Sequence, residues 1–355
     1  METIQLKEYN IFIGPLRESL PGFLEGLSFS ALFVIADDNT REHCLPLLEG
    51  ALGAYAYILI QIPPGEAHKN LDTCRQIWAQ LMEERAARDA LVLNLGGGVI
   101  GDMGGFCAAT FKRGIRFVQV PTTLLSQVDA SIGGKLGIDF LQAKNSIGLF
   151  RNPEGVFIDP VFLSTLPRRE LRSGYAEVIK HCLIADAGQW QSLQGLHNLE
   201  EARWEELIIP SLLIKKRVAE ADPFEKGLRK ALNFGHTIGH AIEGFALETD
   251  APLLHGEAVA IGMACEAYLS AKITGLPAND VEQVGRYILQ HYGHHPLAPA
   301  HYEAYLSLMG NDKKNEGRRI NFSLINPIGQ AIINQHCPPE MIIESLDYYN
   351  TLAEL

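Results

Sequence analysis

The sequence has no long hydrophobic run. Its longest strongly apolar stretches, residues 31–36 and 258–265, fall far short of the about 18 apolar residues that a membrane-spanning helix needs. The first ten residues mix acidic and basic side chains without an apolar core, which is unlike a secretory signal. Hydrophobic residues at 47% and charged residues at 20% are the proportions of a globular protein and exclude a disordered or fibrous one. We therefore expect a folded cytoplasmic protein with no membrane partner.

Positive charge is the scarcer sign in this chain. Lys and Arg total 30 against 42 Asp and Glu, which gives a formal net charge of −12. A protein that binds nucleic acid without sequence preference needs a positive surface, so the composition argues against a nucleic-acid partner. A small anionic or phosphorylated substrate remains compatible with the composition, provided that a local cluster of bases receives it.

The six cysteines show no close pairing. None of them forms a C-x-x-C motif, and their wide spacing is typical of reduced thiols in a cytosolic protein. The cysteines are Cys44, Cys74, Cys107, Cys182, Cys265 and Cys337.

The length of 355 residues predicts about two domains, at roughly 150 residues each. In the first half, strand-like segments alternate with a helix predicted over residues 71–87, which is typical of parallel βαβ units. The predicted strands cover residues 31–36, 56–62, 90–95 and 116–120. We expect an α/β nucleotide-binding domain over residues 1–160.

The second half reads as a series of amphipathic helices. They are predicted over residues 168–195, 200–222, 228–247, 255–274 and 278–292, followed by a hairpin of residues 319–325 and 330–334 and a last helix over 339–352. We expect a mostly α-helical domain over residues 161–355.

A glycine-rich turn follows the strand predicted over residues 90–95. Residues 96–102, GGGVIGD, fit the pattern G-x-G-x-x-G and open a helix. Such glycines let backbone N–H groups approach a pyrophosphate, whose negative charge the helix N-terminus favours. The acid expected about 20 residues later is missing, and Asp37, at the end of an earlier strand, is the better candidate for a ribose. Without a ligand, the same glycines would form only a tight turn.

A cluster of bases follows this helix. Lys135 comes directly after two glycines, Lys144 lies nearby, and Arg113 precedes both. A lysine after two glycines can mark an anion pocket, but solvated surface lysines would give the same pattern.

The helical half contains groups suited to a divalent metal. Glu177, Lys180 and His181 share one face of a predicted helix, and His236 and His240 are four residues apart on another. His255 opens the next helix. Two or three histidines with one carboxylate resemble a catalytic zinc site, although the spacing does not decide which histidines bind.

These motifs together resemble 3-dehydroquinate synthases, members of the sugar-phosphate cyclase superfamily. The resemblance covers about residues 30–325 and is densest between 96 and 260. It rests on GGGVIGDMGGF, RGIRFVQVPTTLLSQVDASIGGK, KNSIG, DPVFLSTLPRREL, SGYAEVIKH, GLRKALNFGHTIGHAIE and LHGEAVAIGM.

The resemblance implies an NAD-binding domain, a helical domain that holds a divalent metal (most commonly zinc, with cobalt possible), an active site between them and a homodimer. The implied metal ligands are Glu177, His236 and His255. The implied catalytic and substrate residues are Asp129, Lys135, Asn145, Lys180, Lys215, Arg229, Asn233 and His240, together with Arg113 from a neighbouring subunit and either Lys313 or Lys314. The implied cofactor contacts are Asp37, Asn39, Glu66, Lys69, Gly97, Gly98, Asp102, Thr122, Thr123, Lys144, Thr165 and Glu170.

The resemblance also implies a reaction. It would be a lyase reaction of the shikimate pathway, toward chorismate and the aromatic amino acids. In it, 3-deoxy-D-arabino-heptulosonate 7-phosphate is oxidised by NAD, loses phosphate, is reduced again and closes to 3-dehydroquinate. Two alternatives stay open: another sugar-phosphate cyclase, and a metal-dependent alcohol dehydrogenase, which would need no lysine cluster and would consume NAD.

Overall fold

The computed structural model describes residues 1–130, 132–141, 143–222, 226–247, 249–310 and 320–354. Its contacts divide the chain into two compact units. The first comprises Met1–Pro167 with Trp204–Lys216, and the second comprises Arg168–Arg203 with Arg217–Leu355. The sequence analysis placed a single boundary at residue 160, whereas in this division one stretch of the second half groups with the first unit.

The first unit is built on a seven-stranded sheet of order β1-β2-β9-β6-β5-β3-β4, beside a separate hairpin of β7 and β8. The strands are β1 (Glu2–Gln5), β2 (Asn10–Ile13), β3 (Leu32–Asp37), β4 (Ile58–Ile62), β5 (Leu91–Gly96), β6 (Arg116–Pro121), β7 (Lys135–Phe140), β8 (Ala143–Phe150) and β9 (Gly155–Ile158). The helices are α1 (Leu16–Glu25), α2 (Asp38–His43), α3 (Leu45–Leu52), α4 (Leu71–Glu83) and α5 (Gly98–Thr110).

The four predicted strands are β3 to β6, and all four pair in parallel as expected. From β3 the chain moves outward to β4 and then returns to β5 on the other side of β3. Such a reversal of strand order opens a crevice at the carboxyl ends of the strands, where ligands of α/β proteins bind. Asp37 ends β3 and Gly96 ends β5, so both residues lie at this crevice.

Alternate residues of the buried strands enter two separate cores, one on each face of the sheet. On one face, Phe33 and Val92 pack with side chains of α4 and α5. On the other, Val34 and Leu93 pack with side chains of α1 and α3. Strands covered on both faces read as continuous hydrophobic runs, which explains why the sequence showed them clearly.

The second unit is mostly helical. Its helices are α6 (Arg168–Ala185), α7 (Ala187–Leu193), α8 (Trp204–Ala221, of which residues 204–216 group with the first unit), α9 (His236–Ala246), α10 (His255–Ile273), α11 (Ala278–Tyr292), α12 (Tyr302–Gly310) and α13 (Pro339–Thr351). The predicted hairpin is present as the antiparallel pair β10 (Asn321–Ile325) and β11 (Ala331–His336). Among the described residues, no helix is both long enough and apolar enough to cross a membrane.

Two of the predicted helices were wrong as continuous segments. The one over residues 168–195 ends at Ala185, and Asp186 caps the next helix by accepting the N–H of Gln189. The one over 228–247 is a short 3₁₀ segment, Leu228–Asn233, followed by α9. The break comes at Gly235, whose φ of +79° is a left-handed conformation that favours glycine. Periodicity alone did not reveal this break, because apolar spacing continues across it.

Candidate metal centre and nucleotide site

The metal cluster begins on α6, where an acid and a base are both enclosed. Glu177 and Lys180 are each 1% exposed, and the Lys180 ammonium donates to Glu177 Oε2. The two residues are three apart and share one helix face, as predicted. Burying a lone carboxylate would be strongly unfavourable, so this ion pair allows Glu177 to be ionised inside the unit.

Glycines bring the three helices of the cluster close together. Gly256 of α10 packs so tightly on α6 that a methyl group there would overlap the carbonyl oxygen of Ser173. A methyl group at Gly239 of α9 would lie 2.9 Å from Val259 Cα of α10. Gly239 and Gly256, which lie beside the histidines in the sequence, therefore permit the close approach of the three helices.

The imidazole rings of His236 and His255 meet at Glu177. Their Nε2 atoms lie 3.4 Å and 3.8 Å from Glu177 Oε1. The ring of His240 lies 5.0 Å from that of His236 and 5.6 Å from that of His255, measured between centroids. One nitrogen from each of the three histidines falls within 4.8 Å of the others. The structure thus brings Glu177, His236, His240 and His255 together, and His240 is the most exposed of the three histidines.

Hydrogen bonds at the far side of two rings fix which nitrogen faces the cluster. His236 Nδ1 lies 3.1 Å from Phe234 O, and His255 Nδ1 lies 3.1 Å from Glu243 Oε2. Because a carbonyl and a carboxylate only accept, both Nδ1 atoms are donors, which directs each Nε2 toward Glu177. Such outer contacts orient the histidines of metal sites.

Glu243 was missed in the sequence analysis, although a signal for it was present. It follows His240 by three residues and His236 by seven, so the helix period places it on their face. It is 5% exposed, a burial that is unusual for a glutamate without a partner.

The charges of this cluster suit a divalent cation. Burial opposes ionisation of Glu177, yet Lys180 and His236 hold its pKa well below the usual range. Burial and the Lys180 ammonium lower the pKa of His236 to about 4, so this ring is neutral at pH 7.

His255 carries the cluster's proton. Burial disfavours the imidazolium, but the adjacent carboxylates of Glu177 and Glu243 raise the pKa of His255 to about 9. A cation bound at the two Nε2 atoms and Glu177 Oε1 would take the place of this proton. Glu177 Oε1 is buried and makes no hydrogen bond of good geometry, as expected for an atom that awaits such a partner. The residues therefore fit a divalent metal.

Two of the remaining predicted residues of the helical unit, Arg229 and Asn233, lie on the 3₁₀ segment before α9. Arg229 is 2% exposed, and its backbone N–H donates to Asp222 Oδ2 at 3.1 Å. Asn233 is half-buried at the end of the segment, three residues before His236. Glu170 is exposed in the first turn of α6. Lys313 and Lys314 lie outside the described residues.

In the first unit, the glycine turn lies at the sheet crevice as predicted. Gly97 caps α5, Gly98 is its first residue, and a helix leaves the N–H groups of its first turn without intrahelical partners. A methyl group at Gly97 would lie 3.0 Å from Thr123 Cγ2, so the turn and the end of β6 are in close contact. Thr122 donates its N–H to Gly96 O at 3.0 Å. The turn therefore presents backbone donors suited to a pyrophosphate.

A buried lysine connects three of the predicted cofactor and substrate residues. Lys69, 3% exposed, donates to Asp102 Oδ2 and to Asn145 Oδ1, each at 2.7 Å, and lies 4.0 Å from Glu66. Despite its burial, Asp102 and Glu66 raise the pKa of Lys69, which stays a cation. This network holds the first turns of α5 against the β7–β8 hairpin.

The other predicted residues of the first unit divide by exposure into a group that is at least partly buried and a group that is exposed. Lys215, 4% exposed, pairs with Asp129 at 2.7 Å. Asp37 is half-buried and accepts the N–H of Thr40 at 2.8 Å as the cap of α2. The exposed members are Asn39, Arg113, Lys135, Lys144, Asn145 and Thr165.

A nucleotide site on a parallel sheet and a histidine–carboxylate metal centre on helices define the class: NAD- and metal-dependent enzymes of α/β plus α build. Family models identify the family within this class. The N-terminal 3-dehydroquinate synthase model matches residues 59–173, and the C-terminal model matches residues 174–315. The chain belongs to the 3-dehydroquinate synthase family. This confirms the predicted family and fold class.

Individual relatives agree with this assignment. The chain is 44% identical to the 3-dehydroquinate synthase of Parabacteroides distasonis, over 94% of this chain and 95% of the relative. It is 48% identical to that of Bordetella pertussis, over 91% and 92%. Among solved structures, the 2-epi-5-epi-valiolone synthase of Streptomyces hygroscopicus, with NAD+ and Zn2+ bound, is similar at a TM-score of 0.86 and 28% identity, covering 100% of this chain and 99% of that one. An iron-containing alcohol dehydrogenase shares the fold at a TM-score of 0.68 and 15% identity, over 99% of each chain.

Proposed function

We propose that this chain catalyses the 3-dehydroquinate synthase reaction. It converts 3-deoxy-D-arabino-heptulosonate 7-phosphate to 3-dehydroquinate and phosphate, a carbon–oxygen lyase reaction of the shikimate pathway, with NAD and a divalent metal. The observation that carries the proposal is the convergence of Glu177 Oε1 with the Nε2 atoms of His236 and His255, in a chain of this family.

Glu177, His236 and His255 would hold the metal, for which we propose zinc. When bound, a divalent metal polarises the substrate's oxygens and stabilises negative charge on them. Lys180, which contacts Glu177, keeps that ligand ionised and adds a fixed positive charge beside it. His240, the most exposed histidine of the cluster, would contact substrate and carry a proton.

The glycine turn and the Lys69 network would hold NAD. When bound, NAD accepts a hydride from the substrate and later returns it, so it is not consumed. The N–H groups of the first turn of α5 would receive the pyrophosphate, and Asp37 and Asn39, at the end of β3, would lie on the adenosine side.

Cations would receive the anionic groups of the substrate. Lys215 and Arg229 are each at least 96% buried, and side chains fixed in this way stabilise negative charge without reorganising. Arg113, which is exposed with a φ of +70°, would act across a homodimer interface. The homodimer, the exclusion of nucleic-acid and membrane partners, and the cytoplasmic location stay predictions from the sequence.

Two competing activities share parts of this arrangement. Other cyclases, such as the synthase similar at 28% identity, act on other substrates, and alcohol dehydrogenases share the fold alone. A dehydrogenase needs no enclosed lysine beside the metal glutamate, which favours the cyclase activity here.

The test combines purified protein, zinc, NAD+ far below the substrate concentration, and 3-deoxy-D-arabino-heptulosonate 7-phosphate. We expect phosphate and 3-dehydroquinate in equal amounts and many turnovers per NAD. Sedoheptulose 7-phosphate and glucose 6-phosphate serve as competing substrates. Absence of phosphate release from metal-loaded protein would overturn the proposal, and one NADH per turnover would favour the dehydrogenase.

Lys215→Met provides a mutational check with a matched control. Removing the buried ammonium should lower kcat/KM on the order of a hundredfold, as the loss of one preorganised charge does in other active sites. Lys216→Met removes the adjacent, more exposed lysine and should stay within about twofold of the parent, since typical surface substitutions have small effects. Equal losses in the two variants would remove Lys215 from the substrate site.

A further inference from the structure

Glu266 is a fully buried carboxylate in the middle of α10. It is 0% exposed, within a helix that is otherwise apolar around it. Its Oε2 accepts the N–H of Gly235 at 2.6 Å, and its Oε1 accepts those of Thr237 at 3.1 Å and Ile238 at 3.2 Å. Three backbone N–H groups from one turn therefore point at one side chain that lies about 30 residues further along the chain.

In this arrangement a residue of another helix caps the N-terminus of α9. A helix leaves its first N–H groups unpaired, and the residue before the helix commonly caps them with its own side chain. Here that residue is Gly235, which has no side chain to cap with. Glu266 supplies the missing acceptor from the neighbouring helix, and charge-assisted bonds of this kind are stronger than neutral ones.

The turn that Glu266 holds is the turn that carries a metal ligand. His236 is the first residue of α9 and lies between Gly235 and Thr237, both of which donate to Glu266. The carbonyl that orients its ring belongs to Phe234, the residue next to Gly235. Fixing these peptide groups therefore fixes both the backbone of His236 and the acceptor that directs its Nε2 toward Glu177.

We propose that Glu266 is a positioning residue for the metal site: it preorganises the turn of residues 234–238 so that His236 meets the metal without a conformational cost. The inference deepens the proposed function, because it rests on His236 being a metal ligand. It assigns Glu266 no contact with metal, NAD or substrate.

The test measures binding of the metal alone, without substrate or NAD, at constant pH. Metal-free protein is titrated with Co2+, whose visible spectrum reports ligand geometry, and with Zn2+ in competition with a chelator. In Glu266→Gln an amide NH2 replaces one acceptor and faces a backbone N–H. We expect the Kd for both metals to rise about 10- to 100-fold, the usual cost of losing an outer contact of a metal site. We also expect a changed Co2+ spectrum.

Tyr302→Phe is the matched control for lost stability. Its hydroxyl is also enclosed in the helical unit and bonds Asp347 and Asn350, away from the turn. It should lower Tm without changing either metal Kd by more than about twofold, since it leaves the ligands and their outer contacts in place. An unchanged Kd in Glu266→Gln, or an equal change in Tyr302→Phe, would overturn the proposal.

Hydrogen exchange on the unmutated protein gives an answer even where a variant fails to fold. If Glu266 preorganises the turn, the amides of Gly235, Thr237 and Ile238 are protected before metal is added. Free exchange in the metal-free protein, with protection appearing only on metal addition, would show that the metal itself orders the turn. Neither measurement uses turnover, so a positive result with an inactive enzyme would contradict the proposed function but not the positioning role.

Discussion

The two units differ in how they hold charge. In the helical unit, Glu177, Lys180 and Arg229 are each no more than 2% exposed. The α/β unit also encloses Lys69 and Lys215, but it combines the backbone donors of the glycine turn with exposed lysines, Lys135 and Lys144. The first arrangement is set before a ligand arrives, whereas the second combines backbone donors with side chains at the surface.

This difference predicts different tolerance to change. Enclosed groups depend on each other, so removing one leaves another buried without a partner, at a cost of about 3–5 kcal/mol for a buried charge pair. When an exposed group is substituted, only the contact that this group itself makes is lost. Substitutions of enclosed groups, which make up the metal cluster and include Lys69 and Lys215, should therefore have sharp effects, and substitutions of exposed groups gradual ones.

The largest effect is expected from His255→Ala. Losing one of three ligands should raise the Kd for zinc by on the order of a thousandfold, because each ligand supplies several kcal/mol. Activity should be lost as well. NAD binding, followed by calorimetry, should remain, because the glycine turn belongs to the other unit.

The exposed His336 provides the control, since His336→Ala should keep both metal and activity. An active, metal-free His255→Ala protein would remove His255 from the ligand set. A loss of NAD binding in the same variant would contradict the independence of the two units.

The next effect tests the packing that brings the ligands together. In Gly256→Ala, the added methyl overlaps the Ser173 carbonyl, so α6 and α10 must separate and carry Glu177 away from His255. We expect a loss of stability of about 2 kcal/mol, in the range for overpacking, together with weakened Co2+ binding. Tm and a Co2+ titration measure the two effects.

Gly244→Ala is the matched control on α9. Its methyl would meet only Leu308 Cδ1, at 3.9 Å, so removal of a helical glycine should raise stability by about 0.5–1 kcal/mol. If both variants kept full metal affinity, the close approach at Gly256 would not be what positions the ligands.

The sequence predicted more of the α/β unit's architecture than of the metal site's fine structure. Strands β3 to β6 were visible because both of their faces are buried. The β7–β8 hairpin was missed, because the sequence analysis interpreted its lysines and glycines only as a possible anion pocket and predicted no strand there. Spacing alone did not decide which of the three histidines bind the metal. The resemblance supplied the ligand set of Glu177, His236 and His255.

What the sequence did not show are contacts between residues distant in the chain. Glu243 can be found from helix period once His236 is known, but nothing local relates Glu266 to Gly235. That pair arises because α9 and α10 cross closely through glycines, and only the folded structure shows which side chains then meet. The break at Gly235 was missed for a local reason, because apolar spacing continues across it.

The smallest effect is expected at Asp37, where one carboxylate has two possible roles. It caps α2 through Thr40, and it is also the predicted contact for the NAD ribose. Asn caps a helix about as well as Asp, so Asp37→Asn should leave Tm unchanged, while Asp37→Ala should cost about 1 kcal/mol. If the charge also binds the ribose, both variants should weaken NAD binding by about tenfold, in line with the loss of one hydrogen bond to a charged group.

Calorimetry with NAD and thermal unfolding separate the two roles. Unchanged NAD affinity in Asp37→Asn would leave Asp37 a capping residue alone. Backbone groups would then contribute more to binding the adenosine part of NAD, which would widen the contrast with the side-chain ligands of the metal centre.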